Sequence, residues 1–174
     1  MFYAYIRSSF DREDEPMSEQ RKSKKFTINA AFFQEIKDDH QQLADLLESL
    51  RELESHRQAL PNHANEFVEK LAVLCDQLAL HFALEEAYGY FEDLVEITPH
   101  LHAQTGRLRD QHEVLFVMAR DLADGAAERP KGSTDKLLLI ADQFVEFDEA
   151  YRAHESAETE LIVDAMNQDV GVGD

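Results

Sequence analysis

Cysteine is nearly absent from this sequence, which contains one, Cys75, among 174 residues. A single cysteine forms no internal disulfide, and it excludes a metal site built from several thiolates. Proteins without disulfides are typical of reducing compartments. We therefore expect a cytoplasmic protein.

Glycine, proline and tryptophan are also scarce, with six, four and none respectively. So few turn-forming residues indicate long regular elements joined by short loops. Enrichment in leucine, alanine and glutamate favours helix over strand. The length suits one domain with a sizeable core.

Basic residues are outnumbered, with 17 Lys and Arg against 36 Asp and Glu, for a formal net charge of −19. Non-specific binding to nucleic acid or to anionic membranes requires a basic surface, which this composition does not supply. No apolar run reaches the roughly 18 residues of a membrane span. The first ten residues are too short for the apolar region of a signal peptide. We predict no nucleic-acid partner and no membrane association.

Apolar residues recur at alternating steps of three and four through most of the chain, a spacing typical of helices that face a bundle core. The sequence predicts an all-α fold, an antiparallel up-down-up-down four-helix bundle over residues 29–167. Residues 1–28 are predicted to form a disordered tail, because residues 12–25 are almost wholly polar or charged. Residues 168–174 are predicted to be a frayed tail. The four helices are expected at about 29–56, 63–96, 99–124 and 134–167.

Six polar residues interrupt these apolar stripes: His40, His81, Glu85, His112, His154 and Glu158. Four of them form two His-x-x-x-Glu pairs, each with an imidazole and a carboxylate on the same helical face, one turn apart. A lone histidine precedes the two pairs by 41 and 42 residues respectively. Two similar helix pairs, related by an approximate two-fold axis, would place like side chains on opposite sides of one central site.

Distances along the helices test whether these residues reach one level. At ~1.5 Å per residue, His40 and His81 both stand roughly 24–27 Å from the loop between their helices. The last two helices agree less well, because His112 lies nearer the predicted loop at residues 125–134 than His154 does. We therefore expect the third helix to continue past Gly125 toward Glu128, or the fourth helix to start late.

Unpaired carboxylates in an apolar core cost several kcal/mol each, a cost that a bound metal ion removes. Four neutral imidazoles and two carboxylates suit two first-row ions, with each glutamate bridging the pair. An oxo or hydroxo bridge would complete most of the coordination shell and leave a position for a small diatomic ligand or peroxide. One histidine in an apolar stripe is more often a satisfied core residue, so the duplication of the pattern carries this prediction.

Other polar and aromatic residues receive different interpretations. Glu86 and Glu155, which each lie next to a predicted ligand, could support a ligand at the site or lie at the surface, and the surface is favoured. Tyr88 and Tyr151 lie three residues from a predicted ligand and could hydrogen-bond to the site. Solvent-facing positions are predicted for His56, His63, His100 and His102. Apolar walls of the site are predicted at Phe82, Phe91, Phe116 and Phe144.

Four segments resemble the ligand motifs of the hemerythrin family, in particular its bacterial HHE cation-binding domains. They are Asp-Asp-His40, His81-Phe-Ala-Leu-Glu85-Glu, Asp-Gln-His112 and His154-Glu-Ser-Ala-Glu158. The resemblance covers about residues 29–166. It implies a non-heme, carboxylate-bridged di-iron centre, with two iron ions held by the six residues above.

One departure from the oxygen-carrying hemerythrins bears on function. Those proteins have a second histidine one turn after the one on the third helix, where this sequence has Phe116. The chain is more similar to the symmetric four-His, two-Glu variety, which includes bacterial iron-centre repair proteins linked to nitric oxide and oxidative stress. Those proteins carry an additional cysteine-containing domain that this sequence does not contain. The resemblance therefore implies a small di-iron protein that binds or senses O2, NO or peroxide, or takes part in iron handling.

Three alternatives stay open at this point. The first is a helical interaction or scaffold module with little dependence on metal, and the second is a repair-type protein. The third is weak enzymatic activity at the metal centre. No general acid or base separate from the predicted ligands can be named, so the sequence favours a role that is not enzymatic.

Overall fold

A computed structural model describes residues 30–87 and 101–169, with side chains for residues 38–86 and 101–164. Four α-helices account for most of this part of the chain, which contains no strand. They are α1 (Ala30–Ser55), α2 (Ala64–Ala87), α3 (His102–Ala127) and α4 (Thr134–Asp169). A short 3₁₀ helix, Leu60–His63, connects α1 to α2. The predicted tail at residues 1–28 and the predicted end of the second helix, residues 88–96, lie outside the described residues.

Consecutive helices are neighbours, since α1 packs on α2, α2 on α3, and α3 on α4. Ion pairs join the first helix and the residues that follow it to the last helix. Arg51 binds Asp148, with 2.6 Å between Nη2 and Oδ1, and Arg57 binds Asp142 further back along α4. Residue numbers therefore rise along the first segment while they fall along α4, so α1 and α4 are antiparallel. The predicted fold class, an antiparallel four-helix bundle, is confirmed.

The apolar stripes predicted from the sequence form the core. Leucine and phenylalanine side chains from all four helices make one main cluster, and each of the following is at most 4% exposed: Leu43, Leu47, Leu50, Phe67, Leu71, Leu74, Leu78, Leu115, Leu122, Leu137, Ile140, Phe144 and Phe147. A smaller cluster lies beyond it, made of Leu101, Leu108 and Leu161. Burying side chains of this size stabilises the fold by about 1.5–3 kcal/mol each before entropy is counted.

The prediction of a loop starting at Gly125 is wrong, whereas the expectation that the third helix passes this residue is confirmed. Helix α3 continues to Ala127, and the N–H of Glu128 bonds to the carbonyl of Asp124 at 2.9 Å. Ala126 is 3% exposed and joins the main cluster. Packing of this extra turn outweighs the cost of glycine inside a helix, about 1 kcal/mol. Gly132, with φ at +82°, provides the turn before α4.

No helix among the described residues combines the length and the apolar character that a membrane crossing would require.

Candidate metal centre

The six predicted ligands lie on all four helices, between the two apolar clusters. On α3, His112 stands one turn from Leu108 of the smaller cluster and one turn from Leu115 of the main one. His81, His112 and His154 are 1–3% exposed. The remaining three are His40, which is half-buried, Glu158, which is 7% exposed, and Glu85, whose side chain is 11% exposed.

Their ligand atoms gather in two groups, each with its atoms within 4.8 Å of one another. The first group contains His40, His81 and Glu85. The second contains Glu85, His112, His154 and Glu158. Glu85 belongs to both groups, so it lies where a bridging carboxylate would lie. Glu158 belongs to the second group alone.

Individual distances place the two oxygens of Glu85 on different histidines. Its Oε1 lies 3.2 Å from Nε2 of His81, and its Oε2 lies 3.4 Å from Nε2 of His112. In the second group, Oε1 of Glu158 is 3.2 Å from Nε2 of His154 and 3.5 Å from Nε2 of His112. All three buried histidines thus present Nε2 to the carboxylates at the centre.

The other ring nitrogen of each buried histidine, Nδ1, has a side-chain partner on the side away from the centre. Nδ1 of His81 bonds to Asp39 at 2.9 Å, and Nδ1 of His154 bonds to Gln111 at 2.9 Å. Nδ1 of His112 lies 3.1 Å from Glu86. Partners of this kind fix the tautomer and the ring orientation of metal-binding histidines. The arrangement leaves Nε2 as the atom available for a metal ion.

Buried polar atoms at the centre lack hydrogen bonds, and they show whether a cation would fit there. Nε2 of His81 and His154, Oε2 of Glu85 and Oε1 of Glu158 are buried without a hydrogen-bond partner among the described residues. Their separations of 3.2–3.5 Å lack the direction of a hydrogen bond, and each such atom costs about 1–3 kcal/mol. A cation among them would satisfy all of them together. These residues therefore fit a bound metal ion.

Charge at the site supports the same conclusion. Burial raises the pKa of the Glu85 carboxyl well above its ordinary value. Burial alone would lower the pKa of His81, but the Asp39, Glu155 and Glu85 carboxylates raise it to about 10. The pKa of His40 falls, because of its burial and its proximity to His81. A metal ion would supply the positive charge that the carboxylates otherwise draw from a protonated imidazole.

Aromatic rings close the site against water. Phe82 stacks on His112 with ring centroids 4.1 Å apart and an interplanar angle of 10°, and it meets His154 edge-on at 5.8 Å. Tyr151, 6% exposed, lies 6.4 Å from His81 between ring centroids. The phenol of Tyr151 stays neutral, because burial and the nearby Glu155 raise its pKa. The wall predicted at Phe82 is present, whereas Phe144 packs on Phe67 and Phe147, and Phe91 lies outside the described residues.

Two interpretations of acidic residues change. Glu86 is half-exposed, but its carboxylate contacts Nδ1 of His112. It therefore also supports a candidate ligand. Glu155, also assigned to the surface, has Oε1 3.5 Å from Nε2 of His81. Exposed positions are confirmed for His56, His63 and His102, and His100 lies outside the described residues.

Sequence reasoning assigned no role to Asp39 or Gln111, yet each immediately precedes a lone histidine of the repeat. Asp39 is 4% exposed and also accepts a bond from Gln77 at 2.6 Å. A helical residue next to one that faces the core points toward the neighbouring helix, and there each meets the histidine of the following His-x-x-x-Glu pair. The repeat itself was the signal, since the position before His40 matches the position before His112.

Comparison with known families agrees with this geometry. The family model described as Hemerythrin HHE cation binding domain matches residues 31–165. The chain belongs to the hemerythrin HHE cation-binding domain family. No curated protein and no solved structure gives a significant match. The hemerythrin match spans all four helices and includes every residue of the two candidate ligand groups.

Proposed function

We propose that this hemerythrin-domain protein holds two iron ions, and that it binds or senses O2, NO or peroxide, or takes part in iron handling. One observation carries the proposal: the two oxygens of Glu85 face histidines of different groups, 3.2 Å from His81 and 3.4 Å from His112. One carboxylate shared in this way suits a pair of ions better than a single ion.

In this proposal the candidate ligands divide between the ions according to the two groups. His40, His81 and Glu85 would hold the first ion, and Glu85, His112, His154 and Glu158 would hold the second. When bound, iron supplies electron transfer and an open coordination position for a small ligand. Phe82 and Tyr151 exclude bulk water around that position.

Phe116 bears on which role of the metal centre is favoured. It is half-buried and packs against the main apolar cluster. Its side chain has no nitrogen to offer to the second ion. The second ion accordingly has fewer protein ligands than a site with a histidine at this position, which supports sensing or redox chemistry over stable oxygen transport.

Iron content and spectroscopy test the proposal. We expect about two iron ions per chain after purification from iron-supplied cells, with the visible absorption of a bridged di-iron centre. Glu85→Ala should lose most of the iron, because both ions share this residue. The matched control is Glu69→Ala, an exposed position on the same helix, which should retain it.

The contrary results are equally concrete. Wild-type protein with much less than about one iron per chain would overturn the di-iron proposal. Full iron retention in Glu85→Ala would show that the bridging assignment is wrong.

A further inference from the structure

Glu155 lies next to His154 in the chain but faces the other half of the centre. Successive residues of an α-helix are rotated by about 100°, so the two side chains leave α4 in different directions. His154 faces Glu158, whereas Oε1 of Glu155 lies 3.5 Å from Nε2 of His81 on α2. Glu155 thus approaches His81, a member of the first ligand group, to which the sequence assigned a single carboxylate.

The nitrogen that Glu155 approaches is the one that faces the metal. Nδ1 of His81 is already bonded to Asp39, so a residue that only orients this ring would be redundant. Two ligand atoms about 2.0–2.2 Å from one ion lie roughly 3.0–3.5 Å apart when they occupy adjacent positions. The Glu155–His81 separation of 3.5 Å and the Glu85–His81 separation of 3.2 Å both fall within this range.

Burial of the carboxylate is uneven. The side chain of Glu155 is 35% exposed as a whole, but its Oε1 is buried and has no hydrogen-bond partner among the described residues. A glutamate that served only the surface would turn both oxygens to water. The inner oxygen instead stands unsatisfied beside an equally unsatisfied imidazole nitrogen, Nε2 of His81.

The internal repeat shows that this feature belongs to one half only. Aligning His81 with His154 brings Phe82 opposite Glu155. Phe82 covers the ring of His112 at 4.1 Å, so the second group has an apolar wall where the first has a carboxylate. The two groups therefore differ in the side chain at this position of the repeat, which is apolar in one half and a carboxylate in the other.

We propose that Glu155 is a third carboxylate ligand, which coordinates through Oε1 the ion held by His40, His81 and Glu85. This inference rests on the proposed di-iron function. It gives each ion two histidines and two carboxylates: His40, His81, Glu85 and Glu155 around the first ion, and Glu85, His112, His154 and Glu158 around the second.

Metal affinity and Mössbauer spectroscopy test this assignment on the full-length chain. Metal-free protein is titrated anaerobically with ⁵⁷Fe²⁺ against a competing chelator. Wild-type protein should bind two ions, each with two histidine and two carboxylate ligands. Glu155→Gln, which keeps the volume of the side chain, should weaken one of the two ions about ten- to a hundred-fold or more and leave the other unchanged.

Two further variants make the test specific. Glu155→Asp keeps the carboxylate and should restore part of the lost affinity, which a purely steric role would not do. Glu149→Gln removes a charge from an exposed position of the same helix and should match wild type. Far-ultraviolet circular dichroism of each metal-free variant verifies the fold.

Two results would overturn the assignment, and they are distinguishable. Two unchanged affinities and an unchanged Mössbauer spectrum in Glu155→Gln would overturn the role of Glu155 while leaving the di-iron function intact. Wild-type protein that binds no iron would overturn the di-iron function, and the role of Glu155 with it.

Discussion

At the scale of single residues, the candidate centre depends on side chains that do not themselves face the metal. Asp39 is nearly fully buried, and it joins the backs of two α2 side chains, 2.9 Å from His81 and 2.6 Å from Gln77. Gln111 contacts Nδ1 of His154 on the other side. A carboxylate therefore holds one imidazole and an amide holds the other.

Replacing Asp39 tests this support. Asp39→Ala should weaken binding of the ion beside His81 by about ten- to a hundred-fold, because the ring loses the partner that fixes its orientation. Asp39→Asn retains an acceptor oxygen and should lose less. Chelator competition with the metal-free protein measures both effects. Asp45→Ala, at an exposed position of α1, serves as the control, and an Asp39→Ala affinity equal to that of this control would contradict the prediction.

At the scale of elements, α3 shows how packing overrides a local signal. Glycine and proline between residues 125 and 132 predicted a loop, yet the helix includes Gly125 and ends at Ala127. Burial of Ala126 against the main cluster supplies the reason. The extra turn also lengthens the part of α3 between His112 and the loop. The comparison of helix lengths required this lengthening for His112 and His154 to reach one level.

Two glycines near this end of the bundle should respond in opposite directions. A Cβ at Gly125 would meet nothing within 4 Å, so Gly125→Ala should raise the free energy of unfolding by about 0.5–1 kcal/mol through higher helix propensity. A Cβ at Gly132 also has space, but its φ of +82° disfavours any side chain, so Gly132→Ala should destabilise the protein by about 1 kcal/mol. Urea denaturation measures both changes. Equal and same-signed effects would show that the helix does not extend through Gly125.

Some features of the fold and of the candidate site follow from the sequence alone, and others depend on how the helices pack. The stripe on α2, Phe67 to Leu78, follows from apolar spacing, and so does the placement of His81 and Glu85 on the same face. The contact between Glu86 and His112 does not follow from spacing, because it depends on how α2 and α3 are rotated against each other. The position of Glu155 depends likewise on how α4 faces α2 across the bundle core.

At the scale of the whole molecule, metal binding and folding should be coupled. The six candidate metal ligands lie on all four helices, so the unfolded chain does not present the site. Iron-loaded protein should therefore melt at a higher temperature than metal-free protein, with a gain of about 2.7 kcal/mol when free metal exceeds the dissociation constant a hundredfold. Differential scanning calorimetry under anaerobic conditions measures the shift. Identical melting of the two forms would favour the scaffold alternative, in which the bundle is stable without its metal.

The position of Glu85 in both candidate ligand groups has a consequence for assembly. Each helix pair braces its own histidine, through Asp39 in the first pair and Gln111 in the second, so each half carries an oriented but incomplete set of ligands. Contacts at the centre that cross from one half to the other include those of Glu85 and Glu86 with His112. If the chain were cut in the connection between α3 and α4, which follows Ala127, the first three helices would keep His40, His81, Glu85 and His112, and α4 would keep the other proposed ligands. In the proposed di-iron centre, iron would then recruit the severed α4, which makes this bundle a starting point for a two-fragment iron reporter.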